Sequence, residues 1–348
     1  MAARRALIVG LAGLDLSTDE AAFLRRVRPC GIIIFTRNVA DRMQLSRLIS
    51  DVRDAAGGDD LLVLVDQEGG RVRRLRPPGW RDLPAAARYA ELYFQDPGAA
   101  LTAARSTACL LAHELREVGI NANCAPCADL LFPGADAIIG DRAYGTEPVG
   151  VAALAQAVAD GHLAGGVLPI IKHIPGHGRA AVDSHLALPV VEAALESLEQ
   201  ADFAVFEQLR GVPAAMTAHI VYSAIDPDRA ASISPAIIKD IIRDKIRFEG
   251  LLMCDDLSMG ALSGSIGERS AAVLAAGCDV VLHCNGVLAE MEAVAAEVGP
   301  LAGPALARYK ACIAAIAPPP PTLGAAEAAQ AADWLVQLGA APFPIESV

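Results

Sequence analysis

Four short stretches of this 348-residue sequence carry most of its reactive side chains. Asp66-Gln67-Glu68 sets two carboxylates two residues apart, and Lys172-His173-Ile174-Pro175-Gly176-His177-Gly178 places an amine beside two imidazoles. Asp183-Ser184-His185 spaces a carboxylate and an imidazole two apart, while Cys254-Asp255-Asp256 closes an apolar run with two carboxylates. Arg37, Asp129, His219 and His283-Cys284-Asn285 extend the set. Three chemistries fit this mixture. Asp, Lys, His and Arg together form directional hydrogen bonds to sugar hydroxyls, and a buried Asp255 can then attack an anomeric carbon. His173, His177, Asp183 and His185 also make a ligand set for a hydrolytic metal. Lys172, finally, is suited to Schiff-base formation. Residue type and position leave all three open.

The elements that position these groups are short and apolar. Near-continuous runs at Ala6–Leu11, Gly31–Phe35, Leu61–Asp66, Asn121–Leu130, Leu168–Ile174, Ala214–His219, Leu251–Asp255 and Val280–Asn285 read as parallel strands buried on both faces. Helical periodicity fills the intervals, over 19–28, 43–56, 99–117, 148–164, 191–208, 234–245, 266–276 and 287–317. Ser17-Thr-Asp-Glu20 is a capping box, and Ser234-Pro235 puts proline at a first helical position. Eight β-α alternations predict an α/β fold, a single (β/α)8 TIM-type barrel over residues 1–317, followed by a Pro/Ala-rich tail over 318–348. The first β-α turn lacks a Gly-x-Gly-x-x-Gly fingerprint and no Walker A pattern occurs, so a nucleotide fold is disfavoured. In a barrel of this kind the reactive groups collect at the C-terminal strand ends, where seven of the eight strands here carry them. A single such group is ordinarily a cap or a solvated residue; convergence on one mouth points to a site.

Composition narrows the function classes. A hydrophobic content of 53 % supports a large core, and a net charge of −12 excludes a broad nucleic-acid-binding face and disfavours an anionic membrane surface. At 4 % aromatic residues, the chain offers little platform for gripping a long polymer. The eight cysteines sit mostly within apolar runs, as buried small hydrophobes of a reduced compartment do. Cys124-Ala-Pro-Cys127 has no partner motif at zinc-ribbon spacing and reads as strand. Arg4-Arg5 followed by an apolar run imitates a signal peptide without a convincing cleavage site, and no apolar run reaches the roughly 18–20 residues of a membrane span. A cytoplasmic location is expected.

Three longer motifs occur in order: Val65-Asp-Gln-Glu-Gly-Gly-Arg-Val72, then Lys172-His-Ile-Pro-Gly-His-Gly178 with Asp183-Ser-His-Leu-Ala-Leu-Pro189, then Cys254-Asp-Asp-Leu-Ser-Met259. Together with Ile34-Phe-Thr-Arg-Asn38, Asn123-Cys-Ala-Pro126, Asp141-Arg-Ala-Tyr-Gly145 and Met216-Thr-Ala-His219, they resemble glycoside hydrolase family 3. The similarity is to its bacterial β-N-acetylglucosaminidase branch, and it runs from about residue 6 to 290. It implies a retaining exo-β-N-acetylglucosaminidase that acts on peptidoglycan fragments through a covalent intermediate.

The resemblance assigns Asp255 as nucleophile, with Cys254 in a slot usually held by Ser or Thr and Asp256 in support. It maps an Asp183–His185 dyad as acid/base, on a loop to which Gly176 and Gly178 lend backbone freedom. His177 competes for that role but lacks an Asp two residues away. Asp66, Arg142, Lys172 and His173 would bind the sugar, while His219, Asp129 and Arg37 are as well explained by the barrel rim. The Gln67–Gly70 segment is expected to shape a turn. Arg179 departs from the family, which often has Asp there, and the chain is expected to end after the barrel without a second domain. No cofactor or metal is implied. The expected partner is a small soluble saccharide or muropeptide, with no nucleic acid and no membrane, and the expected state is a monomer. A β-glucosidase or a phosphorylase on the same scaffold is the nearest alternative.

Overall fold

The chain is described from a computed structural model over residues 3–184, 187–317 and 319–343. Eight strands close into one barrel in sequence order: β1 (Arg5–Gly10), β2 (Pro29–Ile34), β3 (Leu62–Val65), β4 (Ala122–Asn123), β5 (Leu168–Ile174), β6 (Ala214–Thr217), β7 (Leu251–Asp256) and β8 (Val280–His283). Every neighbouring pair is parallel, and β8 returns to β1 through Leu7↔Val281 and Val9↔His283. Strand interiors such as Ile32, Val63, Ile170 and Leu252 are fully buried, because helices cover one face and the barrel interior the other.

The helices begin where local chemistry offers a cap. Ser17 and Glu20 close a reciprocal capping box on Thr18–Val27, and Ser265 and Glu268 do the same on Ile266–Ala276. Asp96 accepts from Ala99 N at the head of Pro97–Glu117, which has proline in its first turn.

The structure departs from the sequence expectation in several elements. The strand expected over 121–130 is regular only at Ala122–Asn123. Pro126 has no N–H to give a ladder, so the chain continues by isolated bonds, Lys172 N to Pro126 O and Ala128 N to Lys172 O. The helix expected over 287–317 is two, Leu288–Glu297 and Gly303–Ile316, broken around Gly299-Pro300, where Pro300 bridges to Arg5. The connection after β3 folds as a small hairpin, Gln67–Gly69 with Val72–Arg73, followed by a helix at Ala86–Gln95. Beyond the polyproline run, Ala325–Gln337 forms a helix that packs on Pro97–Glu117 and buries Ala331 and Leu335. Among the described residues no helix is long and apolar enough to cross a membrane.

Candidate active site

The C-terminal ends of the strands surround a cavity of about 470 Å³. Asp66, Arg142, Lys172, His173 and Asp255 all line it, so five of the seven side chains singled out from the sequence meet there. Asp183 is not on its wall, whereas its neighbour Ser184 is. His185 lies outside the described residues.

One wall is an alternating chain of charges. Lys172 Nζ donates to Asp66 Oδ1 at 2.7 Å and reaches Glu68 Oε1 at 2.6 Å. Arg142, in the 3-10 turn Gly140–Arg142, binds Glu68 through both Nε and Nη2, at 2.8 and 2.9 Å. Arg74 Nη2 donates to the outer oxygen of Asp66 at 3.0 Å. Burial pushes both carboxyls up, but the cations outweigh it. Lys172 and Arg74 hold Asp66 well below the usual carboxylate range, and Arg142 and Lys172 hold Glu68 at about 2. Burial also works against the Lys172 ammonium, which Asp66 and Glu68 nevertheless keep protonated above its ordinary range. Lys172 is therefore no free amine, and a Schiff-base role loses its chemical basis.

Glu68 was expected only to shape a turn, and the structure assigns it more. It sits two residues after Asp66, so an extended backbone sends both carboxylates to one side. Three of the five Arg142 N–H groups are spent on Glu68 and on Ile138 O, which leaves two for a ligand. The signal in the sequence was the same-face spacing itself.

A second cluster centres on Asp129, just beyond β4. Its Oδ2 accepts from His173 Nδ1 at 2.6 Å and from Cys127 Sγ at 3.3 Å, and its Oδ1 accepts from His177 N at 2.6 Å. A carboxylate can only accept here, so His173 carries its proton on Nδ1 and turns Nε2 away from Asp129. Burial raises the Asp129 carboxyl, yet His173 and His177 hold it well below the usual range. Among the described residues, the group with metal-ligand spacing is Cys127, Asp129 and His173, which differs from the metal set read from the sequence. Burial and the Asp129 charge push the Cys127 thiol far up.

Asp255, the penultimate residue of β7, lines the cavity. Asp256 N donates to its Oδ1 at 2.8 Å. Burial raises the carboxyl, but His173, His219, the Asp256 N–H and Lys172 together bring it below its ordinary value, so it is ionised at neutral pH. Asp256 itself faces the backbone: Oδ1 accepts from Cys284 N at 3.0 Å and Ser258 N at 3.1 Å. His219 donates from Nε2 to Asp256 O at 3.1 Å and takes Ser232 Oγ on Nδ1 at 2.7 Å. Burial lowers the basicity of His219.

The loop leaving β5 is packed more closely than its glycines suggest. A Cβ at Gly178 would overlap the Leu130 carbonyl, and one at Gly176 would meet Asp202 Cβ at 2.8 Å. Gly176 takes φ +142°, a conformation that favours glycine, and both positions also need glycine for close approach. Arg179 donates to Asp202 Oδ2 at 2.7 Å and stacks on Phe132 at 4.0 Å, so the residue that departs from the family pattern ties the loop root to the outer helix layer. At the rim, Arg37 and Arg74 lie against Phe35 at 4.9 and 5.0 Å. Arg37 also donates to Leu11 O and Cys284 O, consistent with a rim role.

The glycosyl hydrolase family 3 N-terminal domain profile matches residues 7–306, most of the chain. The chain belongs to glycosyl hydrolase family 3. Among curated relatives, the β-hexosaminidase of Alkalilimnicola ehrlichii is 40 % identical over 283 residues, covering 80 % of each chain. That of Methylococcus capsulatus is 41 % identical over 282 residues, 79 % of this chain and 81 % of the relative. Among solved structures, NagZ of Neisseria gonorrhoeae in complex with N-trifluoroacetyl-D-glucosamine superimposes with a TM-score of 0.86 at 34 % identity, covering 96 % of this chain and 98 % of that one. A family 3 β-N-acetylglucosaminidase from Paenibacillus gives a TM-score of 0.79 at 30 % identity, covering 95 % and 67 %. The barrel of this family 3 glycoside hydrolase thus has counterparts along nearly its whole length.

Proposed function

We propose that this family 3 enzyme is a retaining exo-β-N-acetylglucosaminidase that removes terminal β-N-acetylglucosamine from peptidoglycan fragments, anhydro-muropeptides in particular. The observation that carries the reading is Asp255: an ionised carboxylate in a pocket also lined by Asp66, Lys172 and Arg142, which Glu68 ties together from behind. A pocket closed below by packed strands admits one chain end, which favours exo action. The names of the relatives, β-hexosaminidase and β-N-acetylglucosaminidase, support the substrate class.

In this mechanism Asp255 Oδ1 stays on the Asp256 N–H and Oδ2 attacks the anomeric carbon. The C1–O bond to the leaving group breaks as the C1–Oδ2 bond forms. A His185 imidazolium, kept basic by Asp183, gives its proton to the leaving oxygen. The neutral ring then takes a proton from water, whose oxygen displaces Asp255 from C1. Asp66, Lys172, Arg142 and His173 hold the ring hydroxyls and the acetamido group through charge-assisted bonds. No metal or cofactor enters, and the enzyme works as a cytoplasmic monomer on a small soluble saccharide.

Hydrolysis of an aryl β-N-acetylglucosaminide tests the reading. Wild type turns it over and Asp255→Ala reduces kcat by at least about 10³-fold, the scale of losing a nucleophile. Undiminished turnover in Asp255→Ala overturns it. Rates that depend on added phosphate, with glycosyl phosphate as product, identify a phosphorylase.

A further inference from the structure

The root of the loop after β5 is fastened at successive positions. Tyr222 Oη donates to Gly176 O, His177 N donates to Asp129 Oδ1 at 2.6 Å, and Asp136 N donates to Ala180 O at 2.8 Å. Ala181 and Val182 are then exposed, and the chain is held again at Ser184, which is 2 % exposed. Its anchor is His177: Ser184 Oγ and His177 Nε2 share a hydrogen bond of 3.0 Å between two buried side chains. Ser184 stands between Asp183 and His185 in the chain, so this bond lies one residue from each member of the acid/base pair.

We propose that His177 and Ser184 are positioning residues: their shared hydrogen bond fixes the chain at Ser184, and proton donation by the Asp183–His185 pair depends on it. The proposal rests on the acid/base reading above. Asp129 supports it from below, because one carboxylate orients both the sugar-facing His173 and the loop-holding His177. His177 is poorly suited to donate the proton itself: burial, helped by the adjacent His173, lowers its basicity to about 4, so the ring is neutral at neutral pH.

A positioning role has a signature that a general loss of structure lacks. Glycosides with good leaving groups, such as the 2,4-dinitrophenyl compound, need little protonation, whereas phenyl and alkyl glycosides need it fully. kcat/KM is measured across such a series of β-N-acetylglucosaminides for wild type, Ser184→Ala, Ser184→Thr, His177→Gln and His185→Ala. Ser184→Ala is expected to lower kcat/KM for the poor leaving groups by about 10- to 100-fold, the cost of a misplaced proton donor. For the dinitrophenyl glycoside the loss stays within about twofold, and Ser184→Thr, which keeps the hydroxyl, recovers most of the activity. Adding Ser184→Ala to His185→Ala changes the rate by no more than about twofold, since both act through one group. His177→Gln, whose amide can still bond the Ser184 hydroxyl, keeps most of the activity, as Ser184→Thr does. A steep leaving-group dependence in His185→Ala but not in Ser184→Ala overturns this proposal alone, as does full additivity of the two. A flat response in His185→Ala overturns the acid assignment and this proposal with it.

Discussion

Replacing Lys172 by Met tests the charge chain at its centre. The side chain is 3 % exposed and bridges Asp66 Oδ1 and Glu68 Oε1 at 2.7 and 2.6 Å. Met keeps most of the volume, so the loss is of charge and of two charge-assisted hydrogen bonds, each worth about 1.5–3 kcal/mol. Arg74 and Arg142 stay on the two carboxylates, which keeps the expected cost near the lower part of that sum, about 3–5 kcal/mol at pH 7. For a chain of this length that corresponds to a fall in Tm of roughly 4–7 °C.

The pH dependence carries the sharper information. In wild type the folded Asp66 and Glu68 lie below their ordinary values, so their contribution is present above the unfolded carboxylate range and fades only as pH falls toward about 2, the value for Glu68. Without Lys172 both carboxyls lose a cation that lowers them and rise relative to wild type, although Arg74 and Arg142 remain beside them. The folded variant then takes up protons at a higher pH than folded wild type, and the penalty shrinks as the carboxyls become protonated. Thermal unfolding of wild type and Lys172→Met at pH 7 and pH 5 measures this. The Tm difference is expected to be smaller at pH 5. A difference that is equal or larger at pH 5 would refute the electrostatic account and leave only a packing defect.

Three other outcomes follow from particular contacts. Glu68→Gln keeps the shape but removes the charge that orients Arg142; KM for the aryl glycoside should rise about tenfold or more, with a smaller effect on kcat, in steady-state assays. Arg179→Asp, which installs the residue common in the family, places a second carboxylate against buried Asp202, already raised to about 6 by burial despite Arg179; the variant should lose about 2–4 kcal/mol at pH 7 in denaturant titration and less at pH 5, where Asp202 takes up its proton. Activity should survive dialysis against a chelator; loss reversed by a divalent metal would favour the metal-hydrolase alternative over the Asp255 mechanism.

Much of the framework was readable before any coordinates. Fully buried parallel strands leave long Val/Ile/Leu runs, and their alternation with capped helices is a pattern that survives without tertiary knowledge, as Thr18–Val27 with its Ser17–Glu20 box illustrates. Element ends were less legible where proline intervened. Pro126 shortened β4 and Gly299-Pro300 split the last barrel helix, because one missing N–H alters pairing without altering hydrophobicity. Glu68 and Asp129 stand out little in the sequence for a related reason: a sequence displays charged groups but does not say which two will meet.

What the chain determined by itself was the alternation, and with it the convergence of Asp66, Lys172, His173 and Asp255 on one barrel mouth, since every parallel strand must deliver its C-terminal end to the same face. Tertiary structure decided what those groups are chemically. Lys172 is locked between two carboxylates, Asp255 is held ionised by His173, His219 and a backbone N–H, and His177 is turned toward Ser184. Protonation and orientation depend on distance and burial, and those arise only when residues far apart in sequence, such as Asp66 and Lys172, are brought within hydrogen-bonding reach.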